Sequence, residues 1–133
     1  MTPADLLAAA RDLLEHPALG SVGGWPRAVA LLTRQALEKA LDEFWAASPA
    51  RAGLAACSNK TQLTCLPAYL QPAIARQINY VWAALSSACH YHPYNLAPTA
   101  AELYGWIGAV TTLLTVIGGN VAEGAPSGLN QGA

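Results

Sequence analysis

Charged residues are scarce in this chain of 133 residues. Lys, Arg, Asp and Glu make up 11% of it, against about 25% in an average globular protein. After Arg76 the only charged residues are Glu102 and Glu123. Because 53% of the residues are hydrophobic, seven cations and eight anions are too few to cover a small domain. We therefore expect the C-terminal half to form the central core or to contact another subunit.

The chain also lacks a run of basic residues, and its formal net charge is −1. A protein that captures long nucleic acid by charge alone needs a broad basic surface, so this class is excluded. A small, focused site for RNA or a nucleotide remains compatible with the composition.

No targeting or metal-binding pattern is evident. Residues 1–6 lack the basic and apolar segments of a signal peptide. The uncharged run 103–122 has the length of a membrane span, but its glycines and threonines favour a buried helix of a soluble protein. We predict a cytoplasmic protein, not associated with a membrane, with reduced Cys57, Cys65 and Cys89. Close Cys-x2-Cys pairs are missing, so we predict no metal and no cofactor. Cys89 is expected to be a small buried residue, because the sequence names no cation that would lower the pKa of its thiol.

Helical periodicity predicts an all-α fold, a bundle of four main helices. The predicted helices cover about residues 3–16, 26–47, 72–91 and 99–117, with Gly118-Gly119 as a left-handed stop after the last. The fourth opens with Thr99-Ala100-Ala101-Glu102, the pattern of a capping box. The segment 54–71 is expected to be a mostly irregular crossover with one short helix. The domain is predicted to cover residues 1–122, and residues 123–133 to form a disordered tail.

The second predicted helix has the clearest amphipathic pattern. Its apolar stripe consists of Val29, Leu32, Thr33, Ala36, Leu37, Ala40, Leu41, Phe44 and Trp45. The opposite face holds most of its charges, which indicates a solvated surface. Arg34 lies among these charges and is also a candidate for ligand binding.

Side chains suited to acid–base chemistry cluster between the third and fourth helices. His90 and His92 lie here, and histidine is the side chain that most readily exchanges protons near neutral pH. On a continuous helix they would point about 200° apart, so both face one cleft only if the helix ends at His92 and its final turn brings them together. The alternative is structural, since an imidazole also interacts well with a helix C-terminus. The neighbouring side chains able to orient a phosphate or an imidazole are Ser87, Tyr91, Tyr94 and Asn95.

The sequence resembles the HEPN superfamily in two places. One is the Ala- and Leu-rich second helix, Arg34-Gln35-Ala36-Leu37-Glu38-Lys39-Ala40-Leu41, and the other is the polar segment that ends at His92. The resemblance implies a small helical bundle that forms homodimers. In that family, active members are metal-independent endoribonucleases, many of them toxins or antiviral effectors, and others bind nucleotides or protein partners without cleavage.

The family motif is an Arg followed, after four to six residues, by a His. With His92 as that His, the Arg position falls on Ser87, Ser86 or Leu85. The departure matters because Arg would offset the charge of the pentavalent phosphorus, whereas Ser donates only a neutral hydrogen bond.

Two functions follow from these residues. The first is a self-associating HEPN-like domain in a toxin or defence system that binds, and in an active form cleaves, RNA or a nucleotide. There His92 and His90 would be catalytic, and Ser87, Tyr91, Tyr94, Asn95 and Arg34 would bind substrate. The second is a non-catalytic protein-interaction module, such as an antitoxin-like or defence-complex subunit, in which the histidine segment is structural.

Overall fold

The structure, a computed structural model, describes residues 1–17, 24–90 and 96–124. Within these ranges the chain forms six α-helices and no strand, so the predicted all-α class is confirmed. The helices are α1 (Pro3–Glu15), α2 (Trp25–Ala46), α3 (Pro49–Ala52), α4 (Asn59–Cys65), α5 (Pro72–Cys89) and α6 (Ala100–Gly124), and a 3-10 turn (Leu66–Ala68) follows α4.

The second helix is the centre of the bundle. It packs against α1, α5 and α6, and α6 also contacts α1 and α5. The apolar stripe predicted for α2 is confirmed, since Val29, Leu37, Phe44 and Trp45 are completely buried. The hydroxyl of Thr33 is also buried in this stripe, where it donates to the Val29 carbonyl at 2.8 Å. Burial of this long stripe stabilises the fold, at about 25 cal/mol for each Å² of apolar surface.

Both predicted helix starts are confirmed by their hydrogen bonds. At α1 the Asp5 amide donates to Thr2 Oγ1 at 3.1 Å, and the Thr2 amide donates to Asp5 Oδ2 at 2.9 Å. At α6 the Glu102 amide donates to Thr99 Oγ1 at 3.1 Å, and the Thr99 amide donates to Glu102 Oε1 at 3.0 Å. Each capping box therefore satisfies two backbone donors that the helix leaves without a partner.

The crossover between α2 and α5 is more helical than predicted. Ser48 caps α3, and Ser58 caps α4. Arg51 anchors α3, because its Nε donates to the Phe44 carbonyl at 2.9 Å and its guanidinium lies 4.1 Å over the Phe44 ring. The buried Gln62 anchors α4 by donating to the Leu54 carbonyl at 2.8 Å.

The predicted stop at Gly118-Gly119 is wrong, since α6 continues to Gly124. A glycine costs a helix only about 1 kcal/mol, and the packed turn before it, with Leu113 and Ile117 buried, holds the helix in register. The third main helix is shorter than predicted, because His90 leaves the helix with an extended conformation, φ −87° and ψ 135°.

Over residues 100–119, the sixth helix buries one stripe and leaves its other side chains partly or fully exposed. Its buried side chains are Leu103, Ile107, Val110, Leu113 and Ile117. Its segment Ala100–Gly119 is long and apolar enough to cross a membrane by length and composition, but such a helix is also common in soluble cores. Only 28% of the most apolar 18-residue stretch of this segment is buried, so the helix is less enclosed by the rest of the protein than its composition predicts.

Candidate functional site

A groove of about 540 Å³ lies between the end of α5 and the start of α6. This volume is within the range of about 300–1,000 Å³ that is usual for small-ligand sites. The side chains of interest that line it are Arg27, Ser87, His90, Thr99 and Glu102, which are polar, and Tyr80 and Trp106, which are aromatic.

Helical spacing gives the groove two ends. Tyr80 and Ser87 are seven residues apart on α5, and Thr99 and Trp106 are seven apart at the start of α6. Seven residues make about two turns, or about 10 Å along a helix axis. Since α5 ends where α6 begins, Ser87 and Thr99 lie at the polar end and the two aromatic residues lie at the other.

The polar end contains an arginine that sequence analysis did not identify. Arg27 Nη1 donates to the His90 carbonyl at 2.6 Å and to the Ala88 carbonyl at 3.4 Å. These carbonyls belong to the C-terminus of α5, where a cation interacts favourably with the helix dipole. A guanidinium group therefore lies beside His90, although the two residues are 63 positions apart in the chain.

His90 and Ser87 both line the groove from the end of α5. Each is exposed to solvent, and the His90 amide donates to the Ser87 carbonyl at 3.3 Å. The early end of the helix turns the His90 backbone away from the helix axis. The arrangement joins an imidazole, a guanidinium and hydroxyl groups, which suits binding of a phosphate and transfer of a proton.

The other predicted residues of this segment are His92, Tyr91, Tyr94 and Asn95. They lie outside the described residues. Their assignment to the site stays a prediction.

Arg34 contacts a different set of side chains. Its Nε donates to Glu38 Oε1 at 2.9 Å, and its guanidinium lies 4.9 Å from the centre of the Trp82 ring. It is two helical turns beyond Arg27 on α2, about 10 Å along the axis. The residues that line the groove do not include Arg34, so its role in ligand binding also stays a prediction.

The thiol of Cys89 also lies near Arg34. Burial raises the pKa of this thiol, while the charge of Arg34 and a hydrogen bond from it act in the opposite direction. The sequence alone could not name a cation near Cys89, and the structure places Arg34 there. Because desolvation is the larger effect, the thiol stays neutral and weakly nucleophilic.

Among the residues that the structure describes, no three His, Cys, Asp or Glu side chains come together as a metal site would require. No family model, curated protein or solved structure matches the chain.

Proposed function

We propose that this protein is a HEPN-like, self-associating domain of a toxin or defence system that binds RNA or a nucleotide in the α5–α6 groove. The observation that carries the proposal is the position of Arg27. It lies 2.6 Å from the carbonyl of His90, in a groove that His90 also lines. In this proposal Arg27, which belongs to α2, supplies the positive charge that the Arg of the family motif would have provided.

Cleavage would follow from these two residues. In a metal-independent reaction, His90 takes the proton of a ribose 2′-hydroxyl and the 2′-oxygen attacks phosphorus. The bond to the 5′-oxygen breaks, and that oxygen takes the proton from the His90 imidazolium, so the products are a 2′,3′-cyclic phosphate and a 5′-hydroxyl, with His90 neutral again. The positive charge of Arg27 stabilises the additional negative charge on the phosphate oxygens.

The exposed face of α6 supports the proposed homodimer. Among the described residues, a Cβ placed at Gly105, Gly108, Gly118 or Gly119 would have no atom within 4 Å apart from the neighbouring residues and backbone of its own helix. Packing inside the protomer therefore does not require glycine at these positions, although each glycine costs about 1 kcal/mol of helix stability relative to alanine. A second copy that packs closely on this uncharged face would account for them.

One observation favours the alternative, a non-catalytic protein-interaction module. Arg27 donates to two carbonyls at the end of α5, which explains the residue as a helix cap without any ligand. In this alternative the groove would bind a side chain of a protein partner.

An RNA cleavage assay in EDTA distinguishes the two functions. We expect the wild type to cleave mixed RNA, and Arg27→Ala and His90→Ala each to lose roughly 100-fold or more of this activity. His92→Ala tests the residue of the family motif. Lys60→Ala is the matched control, because it removes an exposed cation outside the groove. If the wild type neither binds nor cleaves RNA but binds a protein partner tightly, the alternative is correct.

Light scattering at micromolar concentration tests the dimer. The expected mass is twice 13.8 kDa, and Thr112→Arg, on the exposed face of α6, should reduce it to that of one chain. Gln77→Arg adds the same charge at an exposed position of α5 and should leave the dimer intact. A wild-type mass of one chain contradicts self-association.

A further inference from the structure

The aromatic end of the groove is unexplained by phosphate binding. Tyr80 is 71% exposed, although a tyrosine ring normally buries most of its surface. Trp106 is half-buried and lines the same groove from α6. Ala84, one helical turn after Tyr80 on α5, also lines the groove and is small. Two rings that border an open groove form a surface on which a nucleobase stacks.

A carboxylate also lines the groove, beside Thr99 at its polar end. Glu102 is one helical turn from Trp106 and lines the groove. Its Oε1 accepts from the Thr99 amide at 3.0 Å, and a carboxylate can accept several further hydrogen bonds. A negative group would repel phosphate but accept hydrogen bonds from ribose hydroxyls, as acidic residues do in other nucleotide sites.

We infer that the groove binds one ribonucleotide in a fixed direction. The base stacks at Tyr80 and Trp106, the ribose hydroxyls donate to Glu102, and the phosphate lies at Arg27 and His90. The two ends are about 10 Å apart, a separation that suits a ligand with its base and phosphate on opposite sides of a ribose. This inference rests on the proposed function and adds to it a binding direction and a preference for RNA over DNA.

Isothermal titration calorimetry with four probes tests the binding direction: AMP, dAMP, adenosine and inorganic phosphate. We expect AMP to bind most tightly and dAMP roughly tenfold more weakly, since dAMP lacks the 2′-hydroxyl that would donate a hydrogen bond to the Glu102 carboxylate. Adenosine has no phosphate to contact Arg27, and inorganic phosphate has no base to stack on the rings, so we expect both to bind more weakly than AMP.

Variants then test each part of the groove. Tyr80→Ala and Trp106→Leu should each weaken AMP roughly tenfold and leave binding of inorganic phosphate unchanged. Tyr104→Ala is the matched control, because Tyr104 is 47% exposed on α6 but does not line the groove. Glu102→Gln keeps the acceptor that the capping box needs, and should reduce the difference between AMP and dAMP.

The outcomes separate this inference from the proposed function. Equal affinity for AMP and dAMP, with no effect of Tyr80→Ala or Trp106→Leu but a loss in Arg27→Ala, overturns the inference and supports the proposed function. If the wild type binds none of the four probes and no RNA, both are overturned. Circular dichroism of each variant identifies those that fail to fold. If Tyr80→Ala or Trp106→Leu fails to fold, the conservative variant Tyr80→Leu or Trp106→Phe is measured in its place.

Discussion

Arg27 offers the sharpest test of how the groove is built. Its Nη1 donates at 2.6 Å to the His90 carbonyl, a short hydrogen bond from a charged donor. Such bonds contribute about 1.5–3 kcal/mol, and a cation at a helix C-terminus adds about 0.3–1 kcal/mol. The second bond, to the Ala88 carbonyl, is 3.4 Å long and adds little. Since the His90 bond is exposed to water, the lower end of the range applies.

We therefore expect Arg27→Ala to lower the free energy of unfolding by about 1.5 kcal/mol. In urea the transition midpoint should fall without a change in its slope, because the surface exposed on unfolding hardly changes. Arg27→Lys should lose less, since lysine keeps the charge near the dipole but cannot donate in the planar geometry of arginine.

Lys60→Ala is again the control for the loss of one exposed charge, and we expect a change within about 0.5 kcal/mol. An unfolding free energy of Arg27→Ala equal to that of the control would refute the assignment of Arg27 as the link between α2 and the end of α5. A loss of stability together with unchanged RNA binding would instead assign Arg27 to the fold alone.

Four further measurements follow from the geometry. Thr99→Ala removes one side of the α6 capping box and should cost about 1 kcal/mol in urea unfolding, while Ser substitution should restore most of it. Gly108→Ala should stabilise the protomer by up to about 1 kcal/mol under conditions that keep it monomeric, because the new methyl group has space; destabilisation there would contradict the exposed position. The backbone hydrogen bond from Thr2 lowers the pKa of the Asp5 carboxyl group. The stability that the Asp5 carboxylate contributes is therefore present above the ordinary pKa of an aspartate and is lost as the pH falls through the lowered pKa. In a plot of unfolding free energy against pH, Asp5→Asn should reduce the slope on the acid side. Burial raises the pKa of the Cys89 thiol, so the stability that the neutral thiol contributes is lost as the pH rises through its raised pKa. A thiol reagent at pH 8 should label the exposed Cys57 before the partly buried Cys89, and faster labelling of Cys89 would contradict its burial.

The parts of the fold that were predictable are those coded by short-range patterns. The stripe of α2 and the capping box at Thr99 depend on residues three or four positions apart, and the structure confirms them. The stop at Gly118-Gly119 was predicted on the same local basis and was wrong. There the packing of Ile117 against the rest of the bundle outweighs the weak helix propensity of glycine.

The candidate site was predictable only in part for a related reason. Ser87 and His90 were found because they are close together in sequence. Arg27 is at the start of another helix, and only the packing of α2 against α5 brings it to the groove. The position of Arg34 beside Cys89 likewise depends on the packing of these two helices. No periodicity in the sequence carries information about such contacts between distant segments.

The groove also sets an order on folding. α1 and α2 are consecutive helices that pack together, so they can associate while later residues are still being synthesised. One wall of the groove belongs to α6, and it forms only when α6 docks on the other helices. Ligand binding is therefore coupled to the last docking step, and a bound nucleotide would favour the docked state of α6 by mass action. A chain that ends before about residue 106 would lack the α6 wall of the groove, so we expect it not to bind the proposed nucleotide.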